Sequence, residues 1–127
     1  MSQLSYVHGA STQPLIGRTI GDQFDATCAA HPGGLALIVR HQDVRWTYAE
    51  LKSRVDAFAA GLVALGLNVG DRIGVWAPNC AEWTLAQFAT ARAGLIQVNI
   101  NPAYRLSEVE YTLNKVGVKA LISAERF

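Results

Sequence analysis

Between Arg72 and Ser123 the chain passes through strand, helix, strand, helix and strand at short, regular intervals, and no other feature limits its fold so strongly. Arg72 to Trp76 is a short β-branched and apolar run entered through the turn Asn68-Val-Gly-Asp71. A helical stretch follows from Cys80 to Ala93, then Gly94 and a strand Ile96 to Asn99. Glu108 to Val116, Gly117 and Ala120 to Ser123 repeat the cycle. Short strands alternating with helices require parallel pairing, because consecutive parallel strands need a crossover long enough to return the chain to the same end. The crossovers are right-handed, so helices lie on the faces of the sheet.

Upstream, Leu35 to Val39 and Val44 to Thr47 flank His41-Gln-Asp43 and read as a β-hairpin. Thr19 to Ala30 reads as a helix stopped by His31-Pro32-Gly-Gly34. From Thr47 the residues Leu51, Val55, Phe58, Leu62 and Leu65 recur at helical spacing up to Gly66, where a left-handed cap is expected. The fold class is therefore α/β: a partial parallel sheet with flanking helices and an N-terminal β-hairpin. Residues 1–34 form an N-terminal arm and helix, and 35–127 the hairpin plus the repeated α/β units.

A Ser, Thr or Asn followed three residues later by an acidic side chain occurs at Thr19 with Asp22, Thr47 with Glu50, Asn79 with Glu82 and Ser107 with Glu110. Each pair can cap a helix start, and those at Thr47 and Ser107 fit the strict reciprocal box most closely. The helix after Asn79 carries Trp83, Leu85, Ala86, Phe88 and Ala89 around most of its circumference. Such a helix needs cover on more than one side. Four or so strands with their own helices supply that poorly, so the pattern predicts a piece of a larger protein.

The net charge of +1, from 11 basic and 10 acidic residues, gives no footprint for nucleic acid. Cys28 and Cys80 are the only cysteines and fit neither a zinc site nor a disulfide framework, so both are expected as reduced thiols. The N-terminus lacks a secretory signal, and the longest apolar run, Ala57 to Leu67, is too short to span a membrane. These features predict a soluble cytoplasmic protein.

In an open parallel sheet ligands bind beyond the carboxyl ends of the strands. Gly70, Asp71 and Arg72 precede a strand and read as a turn at the wrong end. Ala77 to Asn79, Asn99 to Arg105 and Ser123 to Arg126 belong to the ligand end. In the stretch NINPAYR, Asn101, Tyr104 and Arg105 are candidate binding residues, against the plainer reading of an ordinary turn. Trp83, just inside a helix at that end, is a candidate substrate contact, with core packing as the alternative. His8, His31 and His41 show no metal spacing, and no metal-binding or catalytic residue is identified. No glycine-rich phosphate loop follows any strand, which places a dinucleotide-dependent oxidoreductase far behind other readings.

The ordered segments WTYAELKSRVDAFAAGLVALGLNVGDRIGVWAPNCAEW and ATARAGLIQVNINPAYRLSEVEYTLNKVGVKALI resemble the beginning of the AMP-forming acyl-CoA synthetases. This adenylating superfamily includes luciferases and peptide-synthetase adenylation domains. SYVHGAS and PLIGRTIGDQFDAT are most similar to the medium-chain fatty acyl-CoA ligases, and the resemblance runs from Ser5 to Ala124. It implies the first subdomain of an adenylate-forming enzyme that joins a fatty acid to ATP, giving acyl-adenylate, and then passes the acyl group to CoA with Mg²⁺ assisting. It also implies that the phosphate loop and the catalytic lysine lie outside the matched region, so the chain alone would be inactive and hold no cofactor. Asn101, Tyr104 and Arg105, with Ser123 to Arg126, would face the CoA side of the crevice. The competing reading is a non-catalytic dimerisation or interaction module of the same fold, and a homodimer is conceivable under either.

Overall fold

The structure, a computed structural model, describes residue 9 and residues 12–125. Along the chain run helix α1 (Ile20–Ala30), strand β1 (Leu35–Val39), a 3-10 turn (Arg40–Gln42), β2 (Val44–Thr47) and α2 (Tyr48–Ala64). They are followed by β3 (Arg72–Trp76), α3 (Ala81–Arg92), β4 (Ile96–Ile100), α4 (Leu106–Val116) and β5 (Val118–Ser123).

β1 and β2 form an antiparallel pair, and the three remaining strands form a parallel sheet in the order β4-β3-β5. The chain leaves β3 for one neighbour and then passes back across it to the other. Alternate residues of β3 point to opposite faces, which places the helices. Ile73 enters a core shared with Phe24 of α1, Leu51, Val55, Ala59 and Leu62 of α2, and Ala89 of α3. Gly74 points the other way, toward Leu113 of α4. A Cβ at Gly74 would stand 2.9 Å from Leu121 Cδ1 and 3.0 Å from Ile100 Cδ1, so glycine permits α4 to close on the sheet.

Local chemistry sets the element ends. Thr19 Oγ1 accepts from the Asp22 N–H at 3.1 Å and donates to its carboxylate at 2.7 Å. At Thr47 the full reciprocal box is built, with the Thr47 N–H donating to Glu50 Oε2 at 2.8 Å. Gly66 and Gly94 follow the last turns of α2 and α3 with φ of 84° and 70°, a left-handed region that costs a side-chain-bearing residue about 1 kcal/mol. Val69 packs 3.1 Å from the position a Gly94 Cβ would take, which fixes that turn against the entry to β3.

Two sequence expectations change. The last helix starts at Leu106, with the Arg105 N–H donating to Glu108 Oε2 at 2.8 Å, so Ser107 and Glu110 lie inside the helix. The second concerns α3, which finds cover within the chain: it lies against α1 and α2 on one side and the sheet on the other, with Phe24 and Phe88 stacked at 4.4 Å between ring centroids. Part of the cover that its apolar circumference needs comes from α1, which folds back over it. The exposed large apolar residues lie elsewhere, among them Leu15, Ile16, Leu65, Val69 and Leu106.

Four charges tie the three helices together. Asp25 Oδ1 of α1 lies 2.7 Å from Arg92 Nη1 of α3 and 3.1 Å from Lys52 Nζ of α2. Asp56 of α2 lies 2.8 Å from both Lys52 Nζ and Arg92 Nε. The Arg92 hydrogen bond, aided by Lys52, holds the Asp25 carboxyl below the usual carboxylate range against the opposing pull of partial burial. A depressed folded-state pKa contributes stability above the unfolded value of about 3.9, and loses it as pH falls through the folded value. Asp25→Asn is therefore expected to lower the urea midpoint at pH 7, with the gap from the parent narrowing as pH falls below the unfolded value toward the depressed folded one, where Asp25 takes up its proton. A gap that stays constant with pH refutes the linkage. Gly74→Val overfills the contact beneath α4 and is expected to cost about 1–3 kcal/mol, read as a lowered thermal midpoint.

Candidate functional site at the carboxyl ends of β3 and β5

Strand order reverses at β3, and in doubly wound sheets ligands sit outside the carboxyl ends of the strands where that reversal occurs. A crevice of about 440 Å³ opens there. Val75 and Ile122 come from the strands, Ala77 and Pro78 from the loop leaving β3, and Cys80, Glu82 and Trp83 from the start of α3. Gln42 reaches in from the hairpin, while Ser123, Ala124 and Glu125 follow β5. The Ala124 N–H donates to the Trp76 carbonyl at 3.1 Å and extends the ladder to the rim.

Gln42 is the hinge pin of this site. Its Oε1 accepts from the Ala81 N–H at 2.6 Å, and its Nε2 donates to Glu82 Oε2 at 2.9 Å. A side chain from the hairpin thus performs the capping that the sequence pattern assigns to Asn79. The cap residue is Cys80, which makes no side-chain capping bond, and Asn79 is exposed. No local signal reveals Gln42, since its partners stand 39 and 40 residues away. The Gln42 amide holds the Glu82 carboxyl below its ordinary range, while burial pushes the Cys80 thiol up. Cys80 is consequently a protonated, weakly reactive thiol.

The sequence candidates separate in space. Trp83 lines the crevice, and its indole N–H donates to the Ala77 carbonyl at 2.8 Å, fixing the ring against the β3 loop. Ser123, Ala124 and Glu125 line it too, and Arg126 lies outside the described residues. Asn101, Tyr104 and Arg105 do not. Asn101 Oδ1 accepts from the Ala103 N–H at 2.9 Å in an Asx turn, and its carbonyl accepts from the Trp76 indole at 3.1 Å. Tyr104 borders a second, shallow groove of about 340 Å³ with Ser107, Glu108, Tyr111 and Thr112. The turn belongs to β4 and the crevice to β3 and β5.

The charges around the crevice decide what these residues can hold. Among the described residues its ionisable lining is Glu82, Glu125 and Cys80, with no lysine, arginine or histidine. Such a rim repels a phosphate, which needs cations or converging N–H groups. The residues present do not fit ATP. Among the described residues no group of three His, Cys, Asp or Glu is placed to hold a metal ion.

The model of the family described as AMP-binding enzyme matches residues 24–126. The chain belongs to that family. It is 48% identical over 124 residues to the human protein named medium-chain acyl-CoA ligase ACSF2, mitochondrial, covering 98% of this chain and 20% of that one. To the rat protein of the same name it is 45% identical over the same shares. The putative acyl-CoA synthetase YngI of Bacillus subtilis is 35% identical over 113 residues, 89% of this chain and 21% of that one. Among solved structures, the N-terminal domain of FACL13 from Mycobacterium tuberculosis superposes with a TM-score of 0.81 at 30% identity, over 84% of this chain and 27% of that one. The Klebsiella oxytoca NpsA N-terminal subdomain gives 0.79 at 26% identity, over 86% and 28%.

The chain therefore shares the fold of part of the N-terminal subdomain of adenylate-forming enzymes. It spans about a fifth of the length of the curated relatives it matches. The relatives' mitochondrial names overturn the cytoplasmic expectation. That expectation rested on the character of the first residues given, which says nothing about import into an organelle. No helix among the described residues is long and apolar enough to cross a membrane.

Gln42→Ala leaves the Ala81 N–H without its cap and frees Glu82. The expected cost is about 0.5–2 kcal/mol in chemical denaturation, as for other lost N-caps. The Glu82 carboxyl should move up toward its ordinary value in an NMR titration, and an unshifted Glu82 would refute the latch.

Proposed function

We propose that this chain is the N-terminal portion of an ATP-dependent fatty acid–CoA ligase. The observation that carries the reading is 45–48% identity, across 98% of the chain, to medium-chain acyl-CoA ligases, together with the family match over residues 24–126. In the whole enzyme a fatty acid carboxylate and ATP give acyl-adenylate and pyrophosphate, and the CoA thiol then takes the acyl group and releases AMP, with Mg²⁺ offsetting phosphate charge. The crevice rim, which carries no cation among the described residues, supports a division of labour in which this portion performs none of the phosphate chemistry. Its part is to supply the sheet and to present Trp83 toward substrate, and Asn101, Tyr104 and Arg105 toward CoA.

The chain alone, given octanoate, ATP, Mg²⁺ and CoA, is expected to release no AMP and form no thioester. A chimera in which it replaces the matching fifth of the rat ligase is expected to retain ATP-dependent octanoyl-CoA formation. In that chimera Arg105→Ala should raise the KM for CoA several-fold while leaving the ATP dependence unchanged, since the turn carrying it stands apart from the crevice. A folded chimera without activity, or turnover by the chain alone, overturns the reading.

A further inference from the structure

The hairpin and the parallel sheet are separate sheets, and Gln42 carries the hairpin to the crevice. It ends the 3-10 turn between β1 and β2, and the next residue, Asp43, has φ of 52° and ψ of 35°. Among the described residues no other side-chain-bearing residue has a positive φ. Such a backbone persists only where its surroundings hold it, and here the Asp43 N–H closes the turn on the Arg40 carbonyl at 3.2 Å. With the chain bent in this way Gln42 reaches the start of α3. Its two hydrogen bonds fall on Ala81 and Glu82, the residues immediately before Trp83. Trp83 is itself held at two backbone points: its N–H donates to the Cys80 carbonyl at 3.3 Å, and its indole N–H to the Ala77 carbonyl at 2.8 Å. Since the Cys80 side chain makes no capping bond, the first turn of α3 depends on the hairpin for its cap.

We propose that Gln42 is a positioning residue for the acyl substrate: through Ala81 and Glu82 it fixes the first turn of α3, and with it the ring of Trp83 that walls the crevice. This rests on the reading of the chain as part of a fatty acid–CoA ligase in which Trp83 faces substrate. Gln42 acts through Trp83 and takes no part in the transfer steps. An amide suits the task, because it accepts from an N–H and donates to a carboxylate at once without carrying charge. Gln42→Glu keeps the acceptor for Ala81 but loses the donor to Glu82, setting two carboxylates against each other. Such a pair has one pKa raised, and on taking up a proton it regains a donor. The other titratable groups around Glu82 are His41 from the hairpin, Cys80 from its own helix start and, lining the same crevice, Glu125. These are present in the parent too, so the difference between variant and parent isolates the new pair.

Two measurements test the role. In the chain itself, NMR follows hydrogen exchange of the Trp83 indole N–H. Gln42→Ala is expected to speed it about fivefold, the factor to which a lost helix cap corresponds, with circular dichroism monitoring the fold. In the chimera with the rat ligase, Gln42→Ala and Gln42→Glu at neutral pH should each raise the KM for octanoate several-fold, while kcat and the KM for ATP stay near the parent's. As pH falls, the octanoate KM of Gln42→Glu should approach the parent's because the paired carboxyls take up a proton, whereas that of Gln42→Ala should keep its distance. A general loss of stability produces no such recovery. An inactive unsubstituted chimera counts against the ligase reading alone, and the indole exchange then decides the positioning role. Indole exchange indifferent to Gln42→Ala overturns the proposal. So does an active chimera whose octanoate KM ignores both substitutions, or whose Gln42→Glu form fails to recover on acidification.

Discussion

The central position of β3 governs the rest of the molecule. Ile73 and Val75 are at most 1% exposed, and Gly74 between them is also buried. A strand this enclosed needs a partner along each edge and a layer on each face, because every backbone N–H and C=O it buries must be paired. β4 and β5 supply the edges. The group of α1, α2 and α3 supplies one face and α4 the other. Removing the side chain at position 74 is what makes the second layer possible, since a larger residue would hold Leu113, Leu121 and Ile100 away from the strand.

From that arrangement the crevice follows. One crossover leaves β3 for β4, and the next returns past β3 to β5, so the loops at the carboxyl ends part around β3. The gap they leave is floored by Val75 and Ile122 and walled by Trp83. Its position is one that nucleotide-binding sheets use for phosphate, yet its charges have the opposite sign. The start of α3, whose first N–H groups could otherwise face an anion, is capped by Gln42 and shadowed by Glu82. In an adenylate-forming fold this shows that topology alone does not create a phosphate site. The donors must also be free and the neighbouring charges positive.

Several strong elements were legible in the sequence. The cap at Thr19, the box at Thr47, the stops at Gly66, Gly94 and Gly117, and the strand, helix, strand rhythm each depend on residues close to one another along the chain. The ordered motif series pointed to the family before any geometry. The failures share a different cause. Asn79 reads as a cap only until Gln42, distant in sequence, takes the role. Ser107 and Glu110 match a capping pattern, but a competing pairing of Arg105 with Glu108 begins the helix earlier. That the turn carrying Asn101, Tyr104 and Arg105 stands apart from the crevice at β3 and β5 is likewise a matter of strand order, which no local pattern shows.

The sequence by itself determined which segments become helices and strands, where most of them stop, that the sheet is parallel, and to which family the chain belongs. These rest on hydrophobic periodicity, backbone dihedral preferences and short-range hydrogen bonds. Tertiary structure alone decided the order β4-β3-β5, the cover over α3, the Gln42 latch, the knot of Asp25, Lys52, Asp56 and Arg92, and the sign of charge at the crevice. Each of these joins groups dozens of residues apart, and the free energy that selects them comes from burial and pairing that exist only once the chain has closed on itself.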